Sequence, residues 1–194
     1  MIHPDAITGR LGNRLFQIAY LYARVKDGTI PDWYLQGPEY FKGYEEEIKQ
    51  LFGEGIGYLT QVGVHIRRAG NPINPDEPKY SENSFYVNLS ETDYYERAMA
   101  LFPEDNFLVF SDDPDWCKEK FKNNSRVQVM EKGNEVDDFN LLASCKDIIM
   151  ANSSFSWWAA YLNPNEGKRI IAPKQWYADG SQTRTKLPPQ WERI

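Results

Sequence analysis

Apolar and polar positions follow two different periods along this chain. From Gln61 onward, short runs of β-branched and aromatic residues are each followed by a stretch with apolar residues at helical spacing. The short runs are Val62–Ile66 (VGVHI), then 106–110 (NFLVF), 126–130 (RVQVM), 147–150 (DIIM) and 168–172 (KRIIA). Between them, Ser90 opens a helix with Asp93 placed as in a capping box, and Tyr94, Tyr95, Ala98, Leu101 and Phe102 form its apolar face. Pro114 suits the first turn of a second helix. Asp137 or Asp138 caps a third, DFNLLASC, and Ser153 or Ser154 caps a fourth, FSWWAAYL. Five strands alternating with four helices predict a parallel sheet with right-handed crossovers.

Before Gln61 the pattern differs. A glycine turn, residues 9–13 (GRLGN), opens a helix whose apolar face is Leu15, Phe16, Ile18, Ala19, Tyr22, Ala23 and Val25, ended by Asp27-Gly28. Residues 29–60 are broken by Pro31, Pro38 and several glycines, and only 44–52 reads as a short helix with a solvated acidic face at 45–47. No βαβ unit appears there. Residues 69–89 read as a long loop, of a length that is often functional. The polar tail, residues 173–194, contains Trp176 and Trp191 and is expected to wrap back over another lobe or lie on the surface. The division predicted is a reduced N-terminal lobe at 1–60, a Rossmann-like domain at 61–177 and a C-terminal tail at 178–194.

Composition narrows the classes. Of 194 residues, 41% are apolar and 14% aromatic, enough to build a core. A net charge of −6 argues against nucleic acid or an anionic membrane as partner. Two cysteines, Cys117 and Cys145, lie in separate predicted helices and are expected to be reduced and buried. Only two histidines, His3 and His65, are present, which excludes a His-rich metal centre. There is no signal peptide and no long apolar run, so a cytoplasmic protein without a transmembrane segment is expected.

Three places could carry chemistry. Arg67 and Arg68 follow the first strand of the regular region, at the edge where open α/β sheets bind ligands, and an arginine pair there suits an anion. His65 and Arg67 share a face because side chains alternate along a strand. Arg68 is read equally as a ligand or as half of a surface salt bridge. Residues 152–156 (NSSFS) follow a later strand at a helix N-terminus, where hydroxyls and backbone N–H groups can cradle phosphate. Residues 112–115 (DDPD) contain a D-x-D pattern that can hold a metal, but Pro114 favours helix capping. Trp157 and Trp158 read as core. Asp76, Glu77 and Glu82, in the long loop, are unordered candidates for a general base.

The stretches GRLGNRLFQIA, VHIRR, FSDDPDWCKE, DFNLLASCKDIIMANSSFSWWAAYLN and IIAPKQWY together resemble the α-1,2-fucosyltransferase family. The resemblance covers residues 9–20 and nearly all of 61–177. It implies a GT-B-like architecture with two Rossmann-like lobes, and GDP-fucose as donor. It implies metal-independent transfer of fucose to a glycan hydroxyl with inversion. By position it makes Arg67 the catalytic arginine that holds the pyrophosphate. His65, Arg68, Gly12, Asn13, Asp138, Ser153, Ser154 and Phe155 become donor-binding residues, with Asp138 open between guanine contact and helix cap. Where the family continues His-x-Arg-Arg with Gly-Asp-Tyr, this chain has Ala69-Gly70-Asn71, which removes a carboxylate from beside the arginines. The chain is also short before His65. The alternatives are a nucleotide-sugar or glycan-binding module without catalysis, and a transferase for a different nucleotide sugar.

Overall fold

The computed structural model describes residues 11–27, 37–68, 86–180 and 187–194. Among these, six strands form one all-parallel sheet: β1 (Val62–Ile66), β2 (Phe107–Ser111), β3 (Val127–Val129), β4 (Asp147–Ile149), β5 (Ile170–Ala172) and β6 (Glu192–Arg193). The helices are α1 (Leu11–Asp27), α2 (Glu45–Phe52), α3 (Tyr94–Ala100), α4 (Pro114–Phe121), α5 (Glu135–Ser144) and α6 (Ser154–Leu162). The five predicted strands are present, each within two residues of its expected ends.

The order across the sheet is β3-β2-β1-β4-β5-β6. This is the doubly wound Rossmann order, which makes the fold α/β with a Rossmann-like parallel sheet. The chain runs outward from β1 through β2 to β3, then crosses back to start β4 on the other side of β1. A crevice therefore opens between the carboxyl ends of β1 and β4, where successive crossovers leave in opposite directions.

Strand alternation sorts the core into two layers. Val62, Val64 and Ile66 of β1 pack with Phe107, Val109, Ile149 and Ile171 against Tyr94, Tyr95 and Ala98 of α3 and Cys117 and Phe121 of α4. The opposite face holds Leu108, Phe110, Ile148, Met150, Ile170 and Ala172 against α5 and α6. Leu15, Phe16, Ala19 and Ala23 of α1, with Phe41 and Ile48, belong to that same layer. Its centre is aromatic: Phe16 lies 4.6 Å from Trp157 and 4.9 Å from Trp158, and Phe41 stacks on Trp158 at 5.5 Å. Both tryptophans are fully buried, as expected. Tilted and stacked contacts of this kind add to the area these rings bury.

The tail departs from expectation. Trp176 and Trp191 are buried in the layer that contains α6, and residues 192–193 extend the sheet as β6 beside β5. The end of the tail thus completes the sheet edge, a place that neither expectation named. Two hydrogen bonds anchor it: Lys174 N–H donates to the Ile194 carbonyl (2.8 Å), and Ile194 N–H to that of Ala172 (3.2 Å). Two charged residues in a short run carry no apolar period, so pattern reading passes over such a strand.

Three cap assignments also change. Asn134, not Asp137 or Asp138, caps α5, its side chain accepting from Val136 N–H at 2.8 Å. Ser90 lies in a single 3-10 turn before α3, and Thr92 Oγ1 accepts from Tyr94 N–H at 3.2 Å. Gly12 and Asn13 are not a turn before α1 but part of its first helical turn. Both cysteines are free and buried, and burial pushes the thiol of Cys117 up to about 11 and of Cys145 up to about 12. Among the described residues no helix is long and apolar enough to cross a membrane.

Candidate active site

The carboxyl end of β1 splits the arginine pair between the two faces of the sheet. His65 lies opposite Ile66 in the alternation, toward α6, where its ring sits 5.1 Å from that of Phe155. Continuing the alternation, Arg67 takes the His65 side and Arg68 the Ile66 side. The Arg68 partners agree: its Nε donates to Asp113 Oδ2 (3.2 Å), its Nη1 to Ser90 Oγ (2.6 Å), and its guanidinium lies 4.0 Å from the centre of the Trp116 ring on α4. Asp113 also caps α4 by accepting from Trp116 N–H (3.3 Å). Arg68 is built into a closed network on the α4 face. Of the two readings of Arg68, the salt bridge is present, with Asp113 as its partner.

Arg67 pairs with Asp112 through its Nη1. The side chains of this pair are 11% and 16% exposed. The other oxygen of Asp112, Oδ1, accepts from the peptide N–H of Arg68 at 2.9 Å. Register explains the match: Ile66 pairs with Ser111, so the next residues of β1 and β2 stand side by side. The DDPD stretch is therefore a helix start, as read from Pro114, and also the source of both carboxylates facing the arginines. The sequence offers no distance cue for that, because 44 residues separate the partners.

Across the crevice, α6 begins directly after β4. Ser153 is its N-cap, its Oγ accepting from Phe155 N–H at 3.3 Å. Ser154 Oγ donates to Asn13 Oδ1 at 2.8 Å. Its proton is thus committed, and what the segment could offer an anion is the positive end of its peptide dipoles more than that hydroxyl. The first turn of α1 lies hard against this point. A Cβ on Gly12 would stand 2.5 Å from the carbonyl carbon of Ser154 and 2.6 Å from the nitrogen of Phe155. Only glycine permits that approach. The Leu11 N–H, unpaired within α1, donates to Glu135 Oε1 of α5 at 3.4 Å. The first turns of α1, α5 and α6 are thus linked to one another.

The sequence-predicted residues fall into one neighbourhood by these contacts: Gly12 and Asn13 with Ser154 and Phe155, and Phe155 with His65. Asp138 joins through its neighbour Phe139, whose ring is 5.4 Å from that of Phe155. The Asp138 carboxylate accepts from Gly133 N–H at 3.3 Å, and burial, opposed by that hydrogen bond, raises its pKa. Ala69-Gly70 and the loop acids Asp76, Glu77 and Glu82 lie outside the described residues, as does Gly9.

His65 is 6% exposed, and its Nδ1 meets no hydrogen-bond partner among the described residues. Burial depresses its pKa to about 4, and the charge of Asp112 opposes the shift. The imidazole is neutral at pH 7. A buried, unpartnered ring nitrogen beside a helix N-terminus is a place for a polar ligand atom.

Other supports were not visible in the sequence. Tyr95 Oη donates to the His65 carbonyl (3.1 Å), and Tyr94 Oη to the carbonyls of Met150 (2.8 Å) and Ile171 (3.1 Å). Both tyrosines read as plain apolar face, yet their hydroxyls hold the carboxyl ends of β1, β4 and β5. Asn152, read as part of a polar cradle, is buried and donates to the carbonyls of Val87 (2.8 Å) and Trp176 (2.9 Å). It ties two connecting segments to the sheet edge.

Residues 32–194 match the family described as Glycosyl transferase family 11. The chain is 30% identical over 180 residues to an alpha-1,2-colitosyltransferase of Escherichia coli, covering 82% of this chain and 60% of that protein. It is 34% identical over 124 residues to galactoside alpha-(1,2)-fucosyltransferase 2 of Rattus norvegicus, covering 59% of this chain and 33% of that one. Among solved structures, NodZ alpha-1,6-fucosyltransferase soaked with GDP-fucose superposes with a TM-score of 0.40 at 14% identity, over 98% of this chain and 68% of that one. The chain spans between a third and three fifths of the length of these two curated relatives.

Proposed function

The chain belongs to glycosyl transferase family 11, and from that membership we propose that it transfers fucose from GDP-fucose to a hydroxyl of a glycan acceptor. The acceptor oxygen attacks the anomeric carbon in line as the bond to the diphosphate breaks, which inverts the anomeric centre. The acceptor proton passes to a base, and charge develops on the departing GDP. Arg67 stabilises that charge, and no metal ion takes part. Preorganised positive charge aimed at a leaving group is a large contribution to such a reaction.

One observation carries this reading. At the switch point between β1 and β4, Arg67 and the neutral His65 stand on the same face as the adjoining N-termini of α1 and α6. Two helix N-termini and a guanidinium are what a diphosphate requires. Asp138, beside Phe139, is suited to a base or ribose contact further along the same edge.

A colitose donor is the second reading, favoured by the match to the colitosyltransferase, which extends over more of this chain than the fucosyltransferase match does. Calorimetric titration with GDP, then donor consumption assays with GDP-fucose and a colitose donor, separate the two. Consumption of one donor at least ten times faster than the other decides between them. Failure to bind GDP defeats both. GDP binding without consumption of either donor would leave a binding module.

A further inference from the structure

Resting on the transferase reading above, we propose that Asp112 is a positioning residue that holds the Arg67 guanidinium in the orientation that meets the donor diphosphate. Asp112, in the stretch FSDDPDWCKE, brings a carboxylate to the arginine pair from the neighbouring strand. Asp112 uses both oxygens, one on the Arg67 side chain and one on the Arg68 peptide N–H. It therefore sets the backbone at the end of β1 and the side chain that leaves it together.

Three features make this a stiff arrangement. The pair is mostly out of water, where charge attraction is stronger than at the surface. Beside it, Arg68 is clamped between Asp113, Ser90 and Trp116, and Asp113 is tied to the first turn of α4. The strand end is also held from below by Tyr95 Oη on the His65 carbonyl. The Asp112 contact is made through Nη1 and so fixes one corner of a planar fork of five N–H donors. The charge of Asp112 also reaches His65, which places all three groups in one electrostatic unit.

The test compares Asp112→Asn, Asp112→Glu, Arg67→Ala and the double variant Arg67→Ala/Asp112→Asn in full-length protein. Asparagine keeps an oxygen for the Arg68 peptide but sets an NH2 donor against the Arg67 donor, so it removes the orienting contact alone. The expected result is a fall in kcat of about 100-fold with donor KM changed less than about threefold, as a small misplacement of a reacting group produces. Asp112→Glu restores part of kcat. The double variant is no slower than Arg67→Ala, because the two residues act as one unit. A merely structural aspartate would instead lower the thermal midpoint, leave kcat of the folded protein unchanged and give losses that multiply. Either of the last two results overturns the proposal while the transferase reading stands. Should the wild type consume no donor, the transferase reading fails by itself. The side-chain 15N signals of Arg67, assigned with Arg67→Lys, still decide the pairing. They broaden or average in Asp112→Asn if Asp112 orients the guanidinium, and unchanged signals refute it.

Discussion

On one face of the sheet, the end of β1 carries His65 and Arg67 beneath the first turns of α1 and α6. On the other it carries Arg68 beneath α4. The two arginines are consecutive in sequence and chemically identical, yet their surroundings differ in kind. Arg68 sits in a finished network of a carboxylate, a hydroxyl and an indole ring. Arg67 pairs with Asp112 and shares its face with His65, whose Nδ1 meets no hydrogen-bond partner among the described residues. The α4 face holds the strand end, and the α6 face is the one proposed above to receive the donor diphosphate. A one-residue step along a strand is enough to assign these roles, because it reverses the face.

The largest effect expected from breaking this comparison is in turnover. Arg67→Ala should lower donor consumption about 1,000-fold, equivalent to roughly 4 kcal/mol of lost transition-state stabilisation, and should also lower the thermal midpoint, because it leaves Asp112 mostly out of water without its ion pair. Arg68→Ala should affect stability more than turnover. Loss of its ion pair, hydroxyl contact and ring stacking should cost about 2–3 kcal/mol of stability in denaturant unfolding. Lysine should not restore it, having no planar group to lie on Trp116. If Arg68→Ala left stability unchanged and Arg67→Ala unfolded the chain, the assignment of faces would be inverted.

The pH dependence of stability sharpens the description of the crevice face. His65 has its pKa lowered from 6.5 to about 4 by burial. The unfolded chain gains a proton as pH falls through about 6.5, and the folded chain does not until about 4. Stability contributed by the neutral histidine is therefore present above 6.5 and lost as pH falls across that window, by on the order of 3 kcal/mol at most. Urea unfolding of His65→Gln at pH 7, 6, 5 and 4.5 should show a shallower decline than the wild type.

Smaller effects are expected where α1 meets α6. Gly12→Ala drives a methyl group into the backbone of Ser154 and Phe155 and should cost about 2 kcal/mol in thermal unfolding. Asn13→Ala removes one partly buried hydrogen bond and should cost about 1 kcal/mol. Both should raise donor KM if the N-terminus of α6 faces the diphosphate. A change in stability with no change in KM would confine this contact to packing.

Much of this was legible in the chain before any coordinates. Short runs such as VGVHI and NFLVF alternate with stretches of helical spacing, and that alternation predicted a parallel sheet. Pro114 and the serines before FSWWAAYL marked two helix starts, because capping chemistry is local. What failed was also local in cause. The Glu192–Arg193 strand has no apolar signal, and its existence depends on a neighbour already in place. Ser90 looked like a cap from its spacing to Asp93, but its oxygen is used by Arg68, a partner that spacing cannot announce. Tyr94 and Tyr95 counted as apolar, although their hydroxyls do the distant work.

The sequence alone determined the alternation of strands and helices, and with it a doubly wound sheet whose ligand edge contains His65, Arg67 and the start of α6. Those properties follow from periodicity and from hydrogen bonding within a few residues. Which carboxylate stands beside each arginine, and why Gly12 must be glycine, were decided only by the tertiary structure. They depend on contacts spanning 44 to 142 positions, from Asp112 to the Arg68 peptide and from Gly12 to Ser154. Chain separation carries no information about such contacts until the sheet has set its register.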